Sequence, residues 1–242
     1  MKHLLWLISL LAFTLAAHAQ SPAEDAFYQG NTAYASGDYP AAIEAYEQAL
    51  ELGGTAAGVH ANLASAYYQN GDVGPALLEI EKALVLAPAD PAYRAKWEFL
   101  RTQTNQPITT APLWAPHALS LPLNGWVVVG TLAVWLVVIG VVLPALRWLP
   151  TYLGGGLAFL GVLCFLAALP PLVYYHFQSE RMIVLEQASL RVAPTEASPT
   201  TDAVAAGASV KRLEQHGEFV RVALANGATG YLPAQEVAAV WE

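Results

Sequence analysis

Two apolar runs, residues 125–146 and 152–175, break a chain whose flanks alternate apolar and polar positions at two different periods. Each run exceeds the ~20 residues that cross a ~30 Å hydrocarbon layer. Only Arg147 lies between them, and no other Asp, Glu, Lys or Arg occurs from Thr102 to Ser179. The pattern predicts a transmembrane hairpin between two soluble domains. Over residues 21–103 apolar positions recur at helical spacing. Over residues 181–242 the period falls to about two, with alternation in 210–213, 219–224 and 229–232, so short strands are expected there. Asn226-Gly227 between the last two predicts a hairpin with a type I′ turn. Gly207 and His216-Gly217 mark two further turns, and about five strands in this length predict a small all-β barrel.

The start of the chain has a third apolar pattern. Lys2, an apolar core over 4–15 and Ala17-His18-Ala19 have the three-part form of an export signal, residues 1–19, with Gln20 as the expected mature N-terminus. The positive-inside rule places the Arg147 turn in the cytoplasm. Signal and turn agree, so both soluble domains are expected outside the cytoplasm, on an inner membrane crossed twice. Trp114, His117 and Trp126 before the first span, and Tyr174, Tyr175 and Phe177 after the second, are expected at the headgroup level. Pro170-Pro171 should kink or end the second span. Gly154-Gly155-Gly156 and Gly161 offer close helix contact. Residues 104–124, with Pro107, Pro112, Pro116 and Pro122, read as an extended linker.

Charge narrows the function. The net charge is −8, with 11 acidic against 4 basic residues over 21–106 and 8 against 5 over 180–242. No basic surface for nucleic acid is indicated, nor a Lys/Arg cluster for anionic lipid. The spans carry no ionisable group at mid-depth, which argues against a transporter or proton path. The single cysteine, Cys164, lies in the second span, so no intramolecular disulfide and no cysteine metal site is expected. His60, His117, His176 and His216 have no metal-ligand spacing, and no nucleophile or phosphate-loop motif is present. Glu44, Glu47 and Glu51 read as a solvated helix face. No cofactor and no enzymatic activity are expected.

A shift of 34 residues pairs Tyr34, Gly37 and Asp38 with Tyr68, Gly71 and Asp72. It also pairs Gly30 with Ala64, Ala42 with Ala76, Tyr46 with Ile80, Ala49 with Ala83, Leu50 with Leu84 and Gly54 with Pro88. Small residues fall where paired helices approach, and Gly37 and Gly71 suit left-handed helix ends. The segment 30–52, 'GNTAYASGDYPAAIEAYEQALEL', and the segment 63–88 resemble the tetratricopeptide repeat (TPR) family. The resemblance implies an all-α helical repeat domain over 21–103, with repeats 23–56 and 57–90 and a capping helix 91–101 carrying Tyr93, Trp97 and Leu100. Gly53-Gly54 stands where the first repeat's closing proline is expected. Two repeats and a cap are few for a stable array, so support from a partner, a dimer or the hairpin is expected.

By the family's pattern, Phe27, Asn31, Tyr34, Ala61, Ser65 and Tyr68 line a groove suited to a peptide or partner helix. Asn31, Asn62 and Lys96 fall where some members clamp a C-terminal carboxylate, although Phe27 stands where those members have lysine. The plainer alternative is that Tyr34 and Tyr68 only pack. The segments 189–199, 207–224 and 226–237 resemble the bacterial SH3-like domain. In that family the module binds peptides or cell-wall components, and Arg191, Glu196 and Tyr231 are the candidate contact surface.

Signal, repeat pair, proline linker, hairpin and SH3-like module follow one another in the order of the BatE-type proteins of the Bacteroides aerotolerance (Bat) operon, which the whole chain resembles. That resemblance implies a membrane-anchored scaffold working with von Willebrand factor A proteins and a MoxR-type ATPase, in an assembly linked to aerotolerance or envelope stress. A cell-envelope sensor whose SH3-like module binds peptidoglycan is the alternative.

Overall fold

The computed structural model describes residues 21–54, 56–107, 118, 120–121 and 123–241, with only the backbone of 177 and 178. The segment expected to be an export signal, Trp114, His117 and most of the expected proline linker lie outside the described residues.

Among the described residues five helices come first: α1 (Pro22–Ala35), α2 (Tyr39–Glu51), α3 (Ala57–Asn70), α4 (Val73–Leu86) and α5 (Pro91–Gln103). Their starts follow from local chemistry. The Ser21 hydroxyl accepts from the Glu24 amide, and the Glu24 carboxylate accepts from the Ser21 amide, which closes a capping box ahead of Pro22. Asp38 and Asp90 cap α2 and α5 through the Ala41 and Ala92 amides. Gly37 and Gly71 end α1 and α3 at φ +80° and +97°, where a side chain is strained.

The two repeats solve one packing problem in two ways. A Cβ on Gly30 would lie 2.6 Å from the Tyr46 ring, so the tyrosine requires glycine opposite. In the second repeat Ile80 replaces the tyrosine, and Ala64 fits. Ala26, Ala42, Tyr46, Ala49, Val59, Leu63 and Ala66 form the core of the first three helices.

Helices α6 (Leu123–Ala145) and α7 (Thr151–Ser179) form the hairpin, joined by a turn in which Arg147 takes φ +61° and donates its amide to the Pro144 carbonyl. Both are long and apolar enough to cross a membrane. Helix α7 does not end at Pro170-Pro171. Each proline removes one donor and leaves the rest of the ladder, and the helix runs on to Ser179. The glycines divide by role. A Cβ on Gly154 or Gly161 would meet the Gly140 or Ala133 carbonyl at 2.5 and 2.7 Å, whereas Gly155 and Gly156 face open space. Trp126 and Tyr175 are two of the residues expected at the headgroup level. Both are buried within the protein, with the Trp126 indole donating to the Ala118 carbonyl and the Tyr175 hydroxyl to that of Leu121.

The C-terminal part holds β1 (Arg181–Val184), β2 (Ala188–Arg191), β3 (Thr200–Val204), β4 (Ser209–His216), β5 (Phe219–Ala223), β6 (Thr229–Pro233) and β7 (Val237–Ala239), with a 3-10 turn at Ala234–Glu236. They pair antiparallel in the order β3-β2-β6-β5-β4-β1-β7. The expected barrel of about five strands is therefore corrected: seven strands form a sheet that is not closed, with ends β3 and β7. Its β1–β7 end is engaged by the helices instead. The β5–β6 turn also differs from type I′. Only Gly227 has positive φ (+86°), and its amide bonds the Leu224 carbonyl, as in a type I turn followed by a left-handed glycine.

The helical and sheet parts share one core. Leu77, Leu78 and Ile80 of α4 and Trp97 and Leu100 of α5 pack with Ile183 and Val240, flanked by Leu185, Ala238 and Trp241. Gly74 sits against the Leu185 backbone, and Gly207 against Leu77, with no room for a side chain at either. The sheet thus packs on the repeats from within the same chain, a contact that the expected partner, dimer or hairpin did not include. Trp241 also packs edge-on against Tyr175 of α7, with ring centroids 5.5 Å apart.

Candidate functional site

Helices α1, α3 and α5 lie side by side and present one face, the face that lines the concave side of stacked helix pairs. The Asn31 amide oxygen accepts from the Tyr46 hydroxyl (2.8 Å) and the Asn62 amide (3.0 Å), tying α1 to α2 and α3. The Lys96 ammonium donates to the Ala61 carbonyl and the Ser65 hydroxyl, both at 2.8 Å, tying α5 to α3. Burial pushes the Lys96 amine below its ordinary range. It forms no ion pair among the described residues. Aromatic rings flank these polar groups. Tyr34 packs edge-on to Tyr39 at 5.6 Å, and Tyr68 edge-on to Phe99 at 5.8 Å.

Of the six groove residues expected, Phe27, Asn31, Tyr34, Ser65 and Tyr68 are half-buried on these helices. Ala61 is corrected: its side chain is buried, and it offers the face only its carbonyl. Phe27 leans on Tyr46 rather than standing clear. The groups of the clamp pattern are partly consumed by one another, since the Asn31 oxygen is already shared and Lys96 is held by α3. Phe99, 51% exposed, was not among the expected residues. Its spacing of three from Lys96 was the available signal, because such neighbours share a helix face.

Behind this face lies a buried ion cluster that sequence reasoning missed. Glu81 of α4 is 2% exposed and accepts from Arg101 (2.6 Å), from the Trp97 indole (3.1 Å) and from Arg181 of β1. Arg101 is equally buried. It donates also to the Ser209 hydroxyl of β4 at 2.6 Å, and its guanidinium lies 5.0 Å from the Trp97 ring centre. Burial raises the Glu81 carboxyl, but Arg181 and Arg101 outweigh it and hold the group below the usual range. A second buried carboxylate, Glu79, is held below that range against the push of burial by His60 and Lys82, at 2.6 and 3.0 Å. The signal for the first cluster was present. Arg101 follows Trp97 by four residues, so it lies on the buried face of α5 and needs a counter-charge.

On the sheet, Arg191 and Tyr231 are brought together as cross-strand neighbours of β2 and β6, with Arg221 opposite Tyr231 on β5. Glu196 contributes its carbonyl, which accepts from Arg191 at 2.5 Å. The Tyr231 ring is edge-on to His216, with centroids 5.5 Å apart. Among the described residues no three His, Cys, Asp or Glu side chains are grouped to hold a metal ion.

Residues 28–91 match the tetratricopeptide repeat family. Among solved structures, the Arabidopsis OM64 TPR domain is similar at 22% identity and a TM-score of 0.32, over 34% of this chain and 67% of that one. The crystal structure of MamA is similar at 18% identity and a TM-score of 0.33, over 68% of this chain and 86% of that one. No curated protein matches. Tetratricopeptide repeats are protein-interaction scaffolds, and the match implies that general role for residues 28–91.

Proposed function

We propose that the chain is a non-enzymatic, membrane-anchored scaffold whose α1/α3/α5 face holds a segment of a partner protein. One observation carries this reading. The outer side of the array, at α4, is closed by the sheet, while among the described residues no element packs over the face bearing Tyr34, Asn31, Ser65, Lys96 and Phe99. Aromatic rings supply apolar contact at small entropic cost, and a half-buried ammonium favours an acidic or C-terminal group on the partner. Helices α6 and α7 serve as the anchor. They cross the membrane twice, with the Arg147 turn in the cytoplasm and repeats and sheet together on the periplasmic side. The partner class is that implied by the BatE-type resemblance, membrane-bound von Willebrand factor A proteins and a MoxR-type ATPase system in an assembly linked to aerotolerance or envelope stress. The sheet is read as an SH3-like module.

A second reading rests on the Arg191–Tyr231–Arg221 row, which gives the sheet an outward aromatic and basic strip. In that reading the SH3-like module holds peptidoglycan and the chain is an envelope sensor. Affinity purification of the full chain from membranes separates the two. Co-recovery of von Willebrand factor A proteins, lost on Lys96→Met, supports the scaffold. Retention on peptidoglycan, lost on Tyr231→Ala and unaffected by Lys96→Met, supports the sensor and overturns the scaffold.

A further inference from the structure

Helix α5 has two engaged sides. Lys96 turns towards α3 and bonds the Ala61 carbonyl and the Ser65 hydroxyl. Trp97 and Arg101, four residues apart and so on one stripe, turn the other way, to Glu81 and through Ser209 to β4. The first set belongs to the open face. The second belongs to the junction between repeats and sheet, where Arg181 of β1 completes the charge around Glu81.

We propose that α5 couples the open repeat face to the sheet, so that releasing Lys96 from α3 loosens the Glu81 cluster, and breaking the cluster loosens the Lys96 contacts. The physical reason is that one short helix carries both sets of bonds. Packed interiors do not deform smoothly, so a helix displaced on one side must repack on the other. The buried arginine and glutamate tolerate little displacement, because a buried charge that loses its partner is strongly penalised. A partner that draws the Lys96 ammonium onto its own acceptor therefore acts at the junction, and linkage makes the effect reciprocal. The route continues to the hairpin. Val240 lies in the junction core, and the adjacent Trp241 packs on Tyr175 of α7.

The coupling is a property of the folded chain and is read without any partner, so its failure leaves the groove reading standing. The test is amide hydrogen exchange on the full chain in detergent micelles. Lys96→Met keeps the stem and removes the ammonium; Glu81→Gln keeps the shape and removes the charge. Ser209→Ala, which removes one bond to Arg101, serves if Glu81→Gln does not fold. The expected result is faster exchange across the junction in both directions. Lys96→Met accelerates β1 and β7, and Glu81→Gln or Ser209→Ala accelerates α3 around Ala61–Ser65, each by about two- to thirtyfold. Glu44→Gln, on the exposed side of α2, leaves both regions unchanged. Acceleration confined to the mutated side, or an equal rise with Glu44→Gln, overturns the proposal.

Discussion

The ring of Tyr46 occupies the space that a side chain on Gly30 would need. The two residues are therefore one packing unit, and the second repeat holds its counterpart in Ala64 and Ile80. Gly30→Ala should destabilise the chain by about 1–3 kcal/mol through overpacking. Adding Tyr46→Ile should recover most of that loss, because it reproduces the arrangement of the second repeat. Denaturant melts of the two single variants and the double variant check this. Additive losses would contradict it.

Glu81 carries the junction. Glu81→Ala leaves Arg101 buried beside no carboxylate, and breaking a buried pair from one side costs about 3–5 kcal/mol. Loss should appear in helical and sheet signals together, since both parts share the core. Separate melting of the two signals would contradict the single core.

Acid should attack the same place. Glu81 and Glu79 are held below the usual carboxylate range in the fold. A depressed folded value contributes stability that is present above the unfolded value, about 4.3, and is lost as pH falls through the folded one. Stability of the full chain should therefore drop below about pH 4.5. Glu81→Gln, less stable at neutral pH, should lose less over that window. A pH series of denaturant melts measures both slopes.

In the hairpin, Gly154 and Gly161 permit close approach while Gly155 faces open space. Gly154→Leu should separate α6 from α7 and cost about 1–3 kcal/mol, while Gly155→Leu should be tolerated. Cross-linking of cysteine pairs placed across the two helices, in a Cys164→Ala background, reports the separation.

Much of this architecture was legible because it rests on local patterns. The 34-residue period, the small residues at helix crossings and the left-handed glycines at Gly37 and Gly71 depend on neighbours near in sequence. The junction was not legible in that way. Arg101 and Ser209 are 108 residues apart, and no periodicity relates them. Arg101 could be placed on a buried face, but its partners could not be chosen from sequence. The same limit explains the sheet. Alternation showed strands, whereas the strand order and the packing of the β1–β7 end on α4 and α5 join residues far apart in sequence. Trp126 and Tyr175 have the residue types of a headgroup belt, and only the tertiary fold buries them.

The proposed partner-binding face of α1, α3 and α5 can be probed directly. Phe99 stands exposed at its rim and Glu44 stands exposed on α2, so a photoreactive residue can replace either with little disturbance. Irradiation of intact cells should give a discrete protein adduct from position 99, lost when Lys96→Met is added, and none from position 44. Adducts of equal yield from both positions, or none from position 99, would contradict the account.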